Sequence, residues 1–248
     1  MNLFYSPELS NESIHLMLGD EESSHAIRVL RMKKGDKIIF TDGKGMFYEG
    51  EIENDNAKKC IAKIIRSYED KAKRNFHLTI AIAPTKNIDR FEMFLEKATE
   101  IGCDEIIPIQ CKHSERTIIK TERLNKVLVS AMKQCLKSEL PTLHELTDFK
   151  KFIESTKSFS GQKFIGHIPE LSESEFPPQN PQGKLFAQSV LKTPSKILVA
   201  IGPEGGFSEE EVSLAVKNGF TMISLGNSRL RVETAGVVAC SIVNSFLS

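Results

Sequence analysis

The sequence lacks an excess of charge, a long apolar run and a regular cysteine pattern. Lys plus Arg and Asp plus Glu both number 33 in 248 residues, so the net charge is zero. Such a balance neither favours nor excludes a nucleic-acid partner, because a local basic patch can act on a neutral molecule. No stretch approaches the roughly 20 apolar residues of a membrane helix, and the start, MNLFYSPELSNESIHL, does not resemble a signal peptide. We expect a cytoplasmic protein without membrane contact.

A second absence concerns cysteine, since no C-x-x-C occurs and the five cysteines are widely spaced: Cys60, Cys103, Cys111, Cys135 and Cys240. Reduced, mostly buried thiols are the simplest interpretation for a cytoplasmic chain. Cys111 and His113 have the chemistry of metal ligands, but no second pair stands at ligand spacing. We therefore expect no metal.

The first seventy residues have the pattern of a small β domain. DKIIFTDG, MFYEGEIEND and KKCIAKIIRSY predict strands, since apolar and polar positions alternate between Gly/Asp turns. One short helix is expected at EESSHAIRVLRM. The charged stretch YEDKAKRN, residues 68–75, has no apolar periodicity and predicts a linker.

After the linker, strands and helices alternate. Buried-type strands are predicted at HLTIAIAP, DEIIPIQ, KFIGHI and KILVAIG, and apolar residues at helical spacing predict helices over 88–101 and 124–135. The proline-rich stretch 172–183 is expected to be a surface loop. This alternation favours an α/β fold with a mostly parallel sheet and helices on both faces. We predict a small β domain over 1–72 and an α/β domain over 75–248.

The stretch ILVAIGPEGGFSEEEV joins a strand to a helix through a glycine-rich bend. Ser208 and Glu211 have the spacing of a capping box, which predicts the start of the helix. Glu204 and the three glutamates of the first helical turn disfavour a bound phosphate, and the G-x-G-x-x-G and G-K-[ST] signatures are missing. The bend therefore favours a neutral or cationic ligand that is held by main-chain groups.

A second glycine bend follows one strand–helix unit later. A strand is predicted over 220–225, a turn at Gly226-Asn227 and a helix from near Val232. We expect the strands of the two bends to be adjacent and parallel, so that both bends face one pocket at the carboxyl edge of the sheet. Arg229 and Arg231 follow the second bend. The alternative is that these glycines only satisfy turns with positive φ.

These two bends carry a resemblance to a known family. IGPEGGFSEEE followed by SLGNSRLRVETA resembles the signature of the SPOUT superfamily of S-adenosylmethionine-dependent methyltransferases, and within it the 16S ribosomal RNA (uracil-N3) methyltransferase family. HAIRVLRMKKGD is similar to that family's PUA-like RNA-binding domain, so the resemblance implies a small β-barrel over 1–72. KATEIGCDEIIPI, SERT and QCLKSELP are similar to parts of its catalytic domain.

The resemblance implies a deep trefoil knot, a homodimer, an rRNA or small-subunit partner and an S-adenosylmethionine pocket without a metal. By the resemblance, the donor lies against the following residues: Gly166, His167, Ile201, Gly202, Pro203, Glu204, Gly205, Gly206, Leu225, Gly226 and Leu230. Glu204 has two interpretations. It favours the sulfonium electrostatically, or it bonds backbone amides within its own turn.

The arginines give the chemistry of the acceptor. Uracil N3 is a poor nucleophile until its proton leaves, and a cation stabilises the resulting anion. We expect Arg231 to support that anion and Arg229 or Arg116 to contact phosphate or base. An ion pair between Arg231 and Glu233 is the alternative. Where many family members have arginine, this chain has Ser228 and Lys137, which affects the substrate contacts only.

A basic cluster in the first domain predicts contact with the RNA backbone. It consists of Arg28, Arg31, Lys33, Lys34 and Lys37, opposed by Asp36. A solvated turn is the alternative for this cluster. Two other functions stay open for the chain: a SPOUT ribose 2′-O-methyltransferase, which LRVETA disfavours, and a non-catalytic RNA-binding protein of ribosome assembly.

Overall fold

A computed structural model describes residues 2–72, 74–167, 184–189, 196–226 and 228–247. The predicted surface loop over 172–183 lies outside these residues. The chain divides into two compact units, Met1–Lys73 with Val129–Leu140, and Arg74–Leu128 with Pro141–Ser248. No local pattern indicates that residues 129–140 group with the first unit.

The first unit contains a five-stranded sheet whose strands are β1 (Leu3–Tyr5), β2 (His15–Met17), β3 (Lys37–Thr41), β4 (Met46–Asn54) and β5 (Ile61–Glu69). Their order is β1-β3-β4-β5-β2, and every pairing except β1–β3 is antiparallel. Phe4, Phe40, Tyr48 and Ile52 are buried on one side of it, as the period-two alternation predicts. The predicted linker begins too early, because β5 continues to Glu69 and pairs there with Met46.

The predicted helix of this unit is present as α1 (Asp20–Ser24), followed directly by a π-helical turn over His25–Val29. Arg31 ends it with a positive φ of 57°, and the amide of Met32 donates to the carbonyl of Ala26 at 3.0 Å. This bond spans six residues, one more than the bond that closes an α-helix before a left-handed residue, and it follows a π-helical turn.

The second unit contains a parallel sheet with strands β6 (His77–Ile82), β7 (Glu105–Gln110), β8 (Thr142–Leu143), β10 (Gln162–Gly166), β11 (Lys184–Leu185), β12 (Lys196–Ile201) and β13 (Thr221–Ser224). Their order is β11-β13-β10-β12-β6-β7-β8, and β9 (Thr147–Asp148) pairs with β7. Every pairing is parallel, which confirms the predicted sheet type.

The helices are α2 (Ile88–Ile101), α3 (Thr121–Gln134), α4 (Phe149–Ser155), α5 (Phe186–Ser189), α6 (Glu209–Lys217) and α7 (Val232–Leu247). The predicted α2 is confirmed: Asn87 accepts a hydrogen bond from the amide of Asp89 at 3.1 Å at its start, and Gly102 ends it. The sequence analysis missed α4. None of the helices among the described residues is both long and apolar enough to cross a membrane.

Both faces of the second sheet are covered, as the strand–helix alternation predicts. Ala81 and Ala200 belong to one buried cluster with apolar residues of α4 and α6. On the opposite face, α7 approaches so closely that a Cβ at Gly236 would meet the ring of Phe94 and the side chain of Ile82. Residues 81 and 82 alternate between the two faces because the strand period is two.

The strand order corrects one expectation, since the strands of the two glycine bends are not adjacent. β10 lies between β12 and β13 and pairs with both. Its last residue, Gly166, stands opposite Ile201 on one side and Ile223 on the other. Because these pairings are parallel and in register, the carboxyl ends of the strands β10, β12 and β13 meet at one edge of the sheet.

Candidate functional site

The candidate site lies where these three strands end. Gly166 and His167, predicted from the resemblance alone, lie between the first bend (Gly202–Gly206) and the second bend (Leu225–Gly226). The amide of His167 donates to the carbonyl of Ile223 at 3.2 Å, which ties the end of β10 to β13. The strand order thus brings the predicted ligand residues of three separate chain segments to one edge, where parallel sheets bind ligands.

The first bend is a hydrogen-bonded turn. The amide of Gly206 donates to the carbonyl of Pro203 at 2.8 Å, and Gly206 has a positive φ of 73°. A Cβ at Gly206 would meet no described atom within 4 Å. Glycine is therefore required here for the backbone conformation, and it leaves open space beside the main chain.

A close approach accounts for the neighbouring glycine. A Cβ at Gly205 would lie 2.9 Å from the Cβ of His113, so a larger residue would displace that side chain. The Nδ1 atom of His113 lies 3.2 Å from the carbonyl oxygen of Gly205 and 3.3 Å from that of Gly206. Carbonyls only accept, so Nδ1 carries the hydrogen in these contacts.

Glu204 makes its hydrogen bond outside its own turn. Its Oε1 accepts a hydrogen bond from the amide of Lys86 at 2.9 Å, in the loop that follows β6. The carboxylate does bond a backbone amide, but the amide belongs to a different segment, so the expectation of a bond within the turn is wrong. A local pattern of residues cannot reveal a contact between positions more than a hundred apart in the chain.

The start of α6 confirms the predicted capping box. Ser208 Oγ accepts from the amide of Glu211 at 3.3 Å, and Glu211 Oε2 accepts from the amide of Ser208 at 2.8 Å. Hydrogen bonds from Ser208 and then from Lys112 lower the pKa of Glu210. Glu210 therefore places an ionised carboxylate at this helix start, beside the side chains of Glu209 and Glu211. These side chains oppose a bound phosphate and suit a neutral or cationic ligand.

The second bend is held by a single hydroxyl group among the described residues. Ser224 Oγ donates to the carbonyl of Gly226 at 2.9 Å and accepts from its amide at 3.3 Å. Gly226 has a φ of 133°, and a Cβ on it would meet no described atom within 4 Å. Asn227, the predicted partner of Gly226 in this turn, lies outside the described residues. Leu225 and Leu230 are half-buried on either side.

The two arginines after the second bend are both exposed. Arg229 Nη2 lies 3.5 Å from the carbonyl oxygen of Glu204, which links the second bend to the first. The guanidinium of Arg231 has no hydrogen-bond or ion-pair partner among the described residues, so the alternative pairing with Glu233 is not observed there. Glu233 itself is only 4% exposed. Arg231 is therefore available to a ligand.

The predicted RNA-binding residues of the first unit surround the end of its helix, and all of them are exposed: Arg28, Arg31, Lys33 and Lys34. The carboxylate of Asp36 accepts a hydrogen bond from the amide of Lys33 at 2.7 Å, which shapes the turn. Arg116, also predicted for RNA, belongs to the second unit. It donates to the carbonyls of Thr85 and Lys86 at 2.9 and 2.5 Å.

The thiol of Cys111 is buried. Burial, followed by the charge of Glu211, raises its pKa far above the usual range for a thiol. Such a thiol stays protonated and is a poor ligand or nucleophile. Among the described residues, no group of three His, Cys, Asp or Glu side chains is placed to hold a metal ion.

The sequence analysis missed the contribution of the loop after β6. Thr85 and Lys86 contact Arg116 and Glu204 through their main-chain atoms only, so their residue types carry no signal. His113 was considered only as a metal ligand, whereas it contacts the first bend. Pro84, the last residue of the predicted strand HLTIAIAP, is the one sign in the sequence of a turn at this edge of the sheet.

Comparisons with known proteins define the class. A family model described as RNA methyltransferase domain matches residues 72–244, and one described as RNA methyltransferase PUA domain matches residues 18–65. The fold and the site therefore place the chain among the RNA methyltransferases.

Relatives define the family more narrowly. Ribosomal RNA small subunit methyltransferase E from Synechocystis is 31% identical over 89% of this chain and 69% of its own length. The crystal structure of a probable rRNA-methyltransferase from Porphyromonas gingivalis is 38% identical, with a TM-score of 0.85 over 99% of this chain and 98% of that one. A Legionella pneumophila protein assigned as a methyltransferase, in complex with SAM, is 26% identical, with a TM-score of 0.83 over 98% and 96%. The chain belongs to the ribosomal RNA small subunit methyltransferase E family.

Proposed function

We propose that this protein transfers a methyl group from S-adenosylmethionine to N3 of a uridine in the 16S RNA of the small ribosomal subunit. The observation that carries the proposal is the edge at which three strand ends meet, together with the exposed Arg231 in the segment that joins the last of these strands, β13, to α7. The family name supports an rRNA substrate, and the Legionella relative with bound SAM supports the donor.

The residues of the edge fit this donor. Gly206 and Gly226 leave open space beside the main chain at both bends. The carboxylates at the start of α6 suit a ligand with a positive charge and oppose a phosphate. The residues that would hold the donor are those predicted from the resemblance: Gly166, His167, Ile201, Gly202, Pro203, Glu204, Gly205, Gly206, Leu225, Gly226 and Leu230. When bound, the donor supplies a methyl group on a sulfonium, which leaves as a neutral thioether.

On the acceptor side, Arg231 has the main role. A uridine becomes nucleophilic at N3 when the N3 proton leaves, and the negative charge then spreads over N3 and both carbonyl oxygens. A guanidinium beside these atoms stabilises the anion and favours its formation. Arginine does not take the proton itself, because it stays protonated at all relevant pH values. Arg229 contacts the base or the adjacent phosphate.

The first unit binds the RNA backbone through the exposed residues Arg28, Arg31, Lys33 and Lys34. Each phosphate that such a residue contacts releases a counterion, so affinity falls with salt. Reversing the charge of Arg31 and Lys34 should weaken RNA binding and flatten the salt dependence of the affinity. Binding titrations at several salt concentrations measure both quantities, and an unchanged slope would count against this contact surface.

The remaining features belong to the proposal through the resemblance. They are a trefoil knot in the second unit, a homodimer in which the donor pocket is close to the subunit interface, and a cytoplasmic location. Light scattering coupled to size-exclusion chromatography measures the assembly directly. A monomer at micromolar concentration would remove the dimer from the proposal and leave the chemistry in place.

One experiment tests the reaction. The protein is incubated with labelled S-adenosylmethionine and undermodified small subunits, in parallel with naked 16S RNA, and the modified nucleoside is mapped by mass spectrometry. We expect 3-methyluridine. A label on a ribose oxygen would identify a 2′-O-methyltransferase instead, and RNA binding without any transferred label would identify a non-catalytic assembly protein.

A further inference from the structure

The peptide group between Thr85 and Lys86 is held from both sides. Its N–H, on Lys86, donates to Glu204 Oε1 at 2.9 Å, and its carbonyl, on Thr85, accepts from Arg116 Nε at 2.9 Å. Arg116 Nη2 donates in addition to the carbonyl of Lys86 at 2.5 Å. A side chain of the first bend and a side chain from the segment after β7 thus fix the same two residues of the loop after β6.

Arg116 suits this contact by its geometry. Its guanidinium is a planar fork whose Nε and Nη2 hydrogens reach two successive carbonyl oxygens at once. The residue is half-buried, and no carboxylate of a described residue lies within ion-pair distance of it. A lysine at this position would keep the charge but would not form both hydrogen bonds.

The same segment also contacts the first bend directly. His113, three residues before Arg116, donates from Nδ1 to the carbonyls of Gly205 and Gly206. The amide of Lys112 donates to Glu211 Oε1 at 2.8 Å. Residues 112–116 therefore join the loop after β6 to the bend after β12, and all of these groups lie within the second unit.

We propose that Arg116 and Glu204 are positioning residues for the donor pocket, acting together through the peptide group between Thr85 and Lys86. This inference rests on the proposed function, since it assumes that the first bend holds S-adenosylmethionine. It assigns Arg116 to the donor rather than to RNA. It also assigns the carboxylate of Glu204 to the amide of Lys86, so that its charge is not the source of affinity for the sulfonium.

Calorimetry with two probes tests the proposal, because S-adenosylhomocysteine lacks the sulfonium charge of S-adenosylmethionine. Arg116→Ala and Glu204→Ala should each lower the affinity for both probes by about tenfold, the order expected for a lost hydrogen bond to a charged group. Arg116→Lys should lower the affinity nearly as much as Arg116→Ala. Glu204→Gln retains an acceptor oxygen and should stay within about threefold of the unchanged protein. Because both side chains hold one peptide, the double alanine variant should lose less than the sum of the single losses.

Other outcomes overturn the inference. If Arg116→Lys binds both probes normally and only Arg116→Ala loses RNA affinity, Arg116 is an RNA contact. If Glu204→Gln weakens S-adenosylmethionine but not S-adenosylhomocysteine, the charge of Glu204 acts on the sulfonium. If the unchanged protein binds neither probe, the proposed function fails, whereas normal binding by Arg116→Ala refutes this inference alone. Thermal unfolding confirms that each variant is folded. Glu122→Gln, at an exposed residue of α3 whose carboxylate has no hydrogen bond or ion pair among the described residues, is the matched control.

Discussion

The two glycine bends lie at the same edge of the second sheet, but they are held in different ways. The first bend receives hydrogen bonds or contacts from His113 and from the loop after β6, and its own Glu204 reaches out to Lys86. Apart from the contact of Arg229 with the carbonyl of Glu204, the second bend is held, among the described residues, by Ser224 within its own strand. The two bends are similar in composition. The first, which we call the braced bend, is fixed by other segments of the chain, whereas the second is held mainly by its own strand.

This difference separates two requirements of the proposed reaction. The braced bend suits a pocket whose shape is fixed before the donor binds, which lowers the cost of ordering on binding. The second bend leads directly into Arg229 and Arg231, whose guanidinium groups reach solvent. Side chains there remain accessible to a substrate that arrives as part of a large RNA.

The largest expected effect concerns Arg231. Replacing Arg231 with alanine should reduce methyl transfer at least about a hundredfold, the usual cost of removing a group that stabilises charge in the transition state. Affinity for S-adenosylmethionine should change little, because the donor lies against the bends. Radiolabel transfer and calorimetry measure the two quantities. Turnover close to that of the unchanged protein would show that the second bend does not carry the acceptor chemistry.

Alanine substitutions in the two bends distinguish steric from conformational constraints. Gly205→Ala and Gly226→Ala should each destabilise the protein by about 1–3 kcal/mol, the first by overpacking against His113 and the second by backbone strain. Removing the imidazole ring leaves the Cβ of His113 in place, so His113→Gly is the variant that relieves the first clash. The double variant Gly205→Ala with His113→Gly should lose less stability than the two single variants together. In the double variant Gly226→Ala with His113→Gly, the two losses of stability should be additive. Urea unfolding measures all of these, and additivity in both pairs would contradict the distinction.

The smallest effect is a pH dependence that arises next to the braced bend. Burial raises the pKa of Cys111 above that of an unfolded thiol, so its contribution to stability is complete below about pH 8.5 and is lost as pH rises above that value. The loss is at most about 1.4 kcal/mol per pH unit for one thiol. Urea unfolding of the unchanged protein and of Cys111→Ala between pH 7 and 10 measures it. Equal slopes for the two proteins would show that this thiol does not titrate on unfolding.

Several elements follow from local patterns and were predictable. The apolar spacing of Phe91, Phe94 and Leu95 predicts α2, and Ser208 with Glu211 predicts the start of α6. The missed α4 is only seven residues long, too short for a reliable helical period. The predicted linker begins too early, because the charged end of β5 is an exposed strand that pairs with β4.

The sequence by itself determined the parallel α/β character of the second unit, the capping of α6 and the two bends with the arginines that follow them. Each of these depends on residues close together in the chain, whose side-chain size, charge and backbone preference act locally. Only the tertiary structure decided that β10 separates the two bends and that Glu204, Arg116 and Lys86 meet. Those contacts join main-chain atoms to distant side chains, and the peptide group that receives them is the same in every residue.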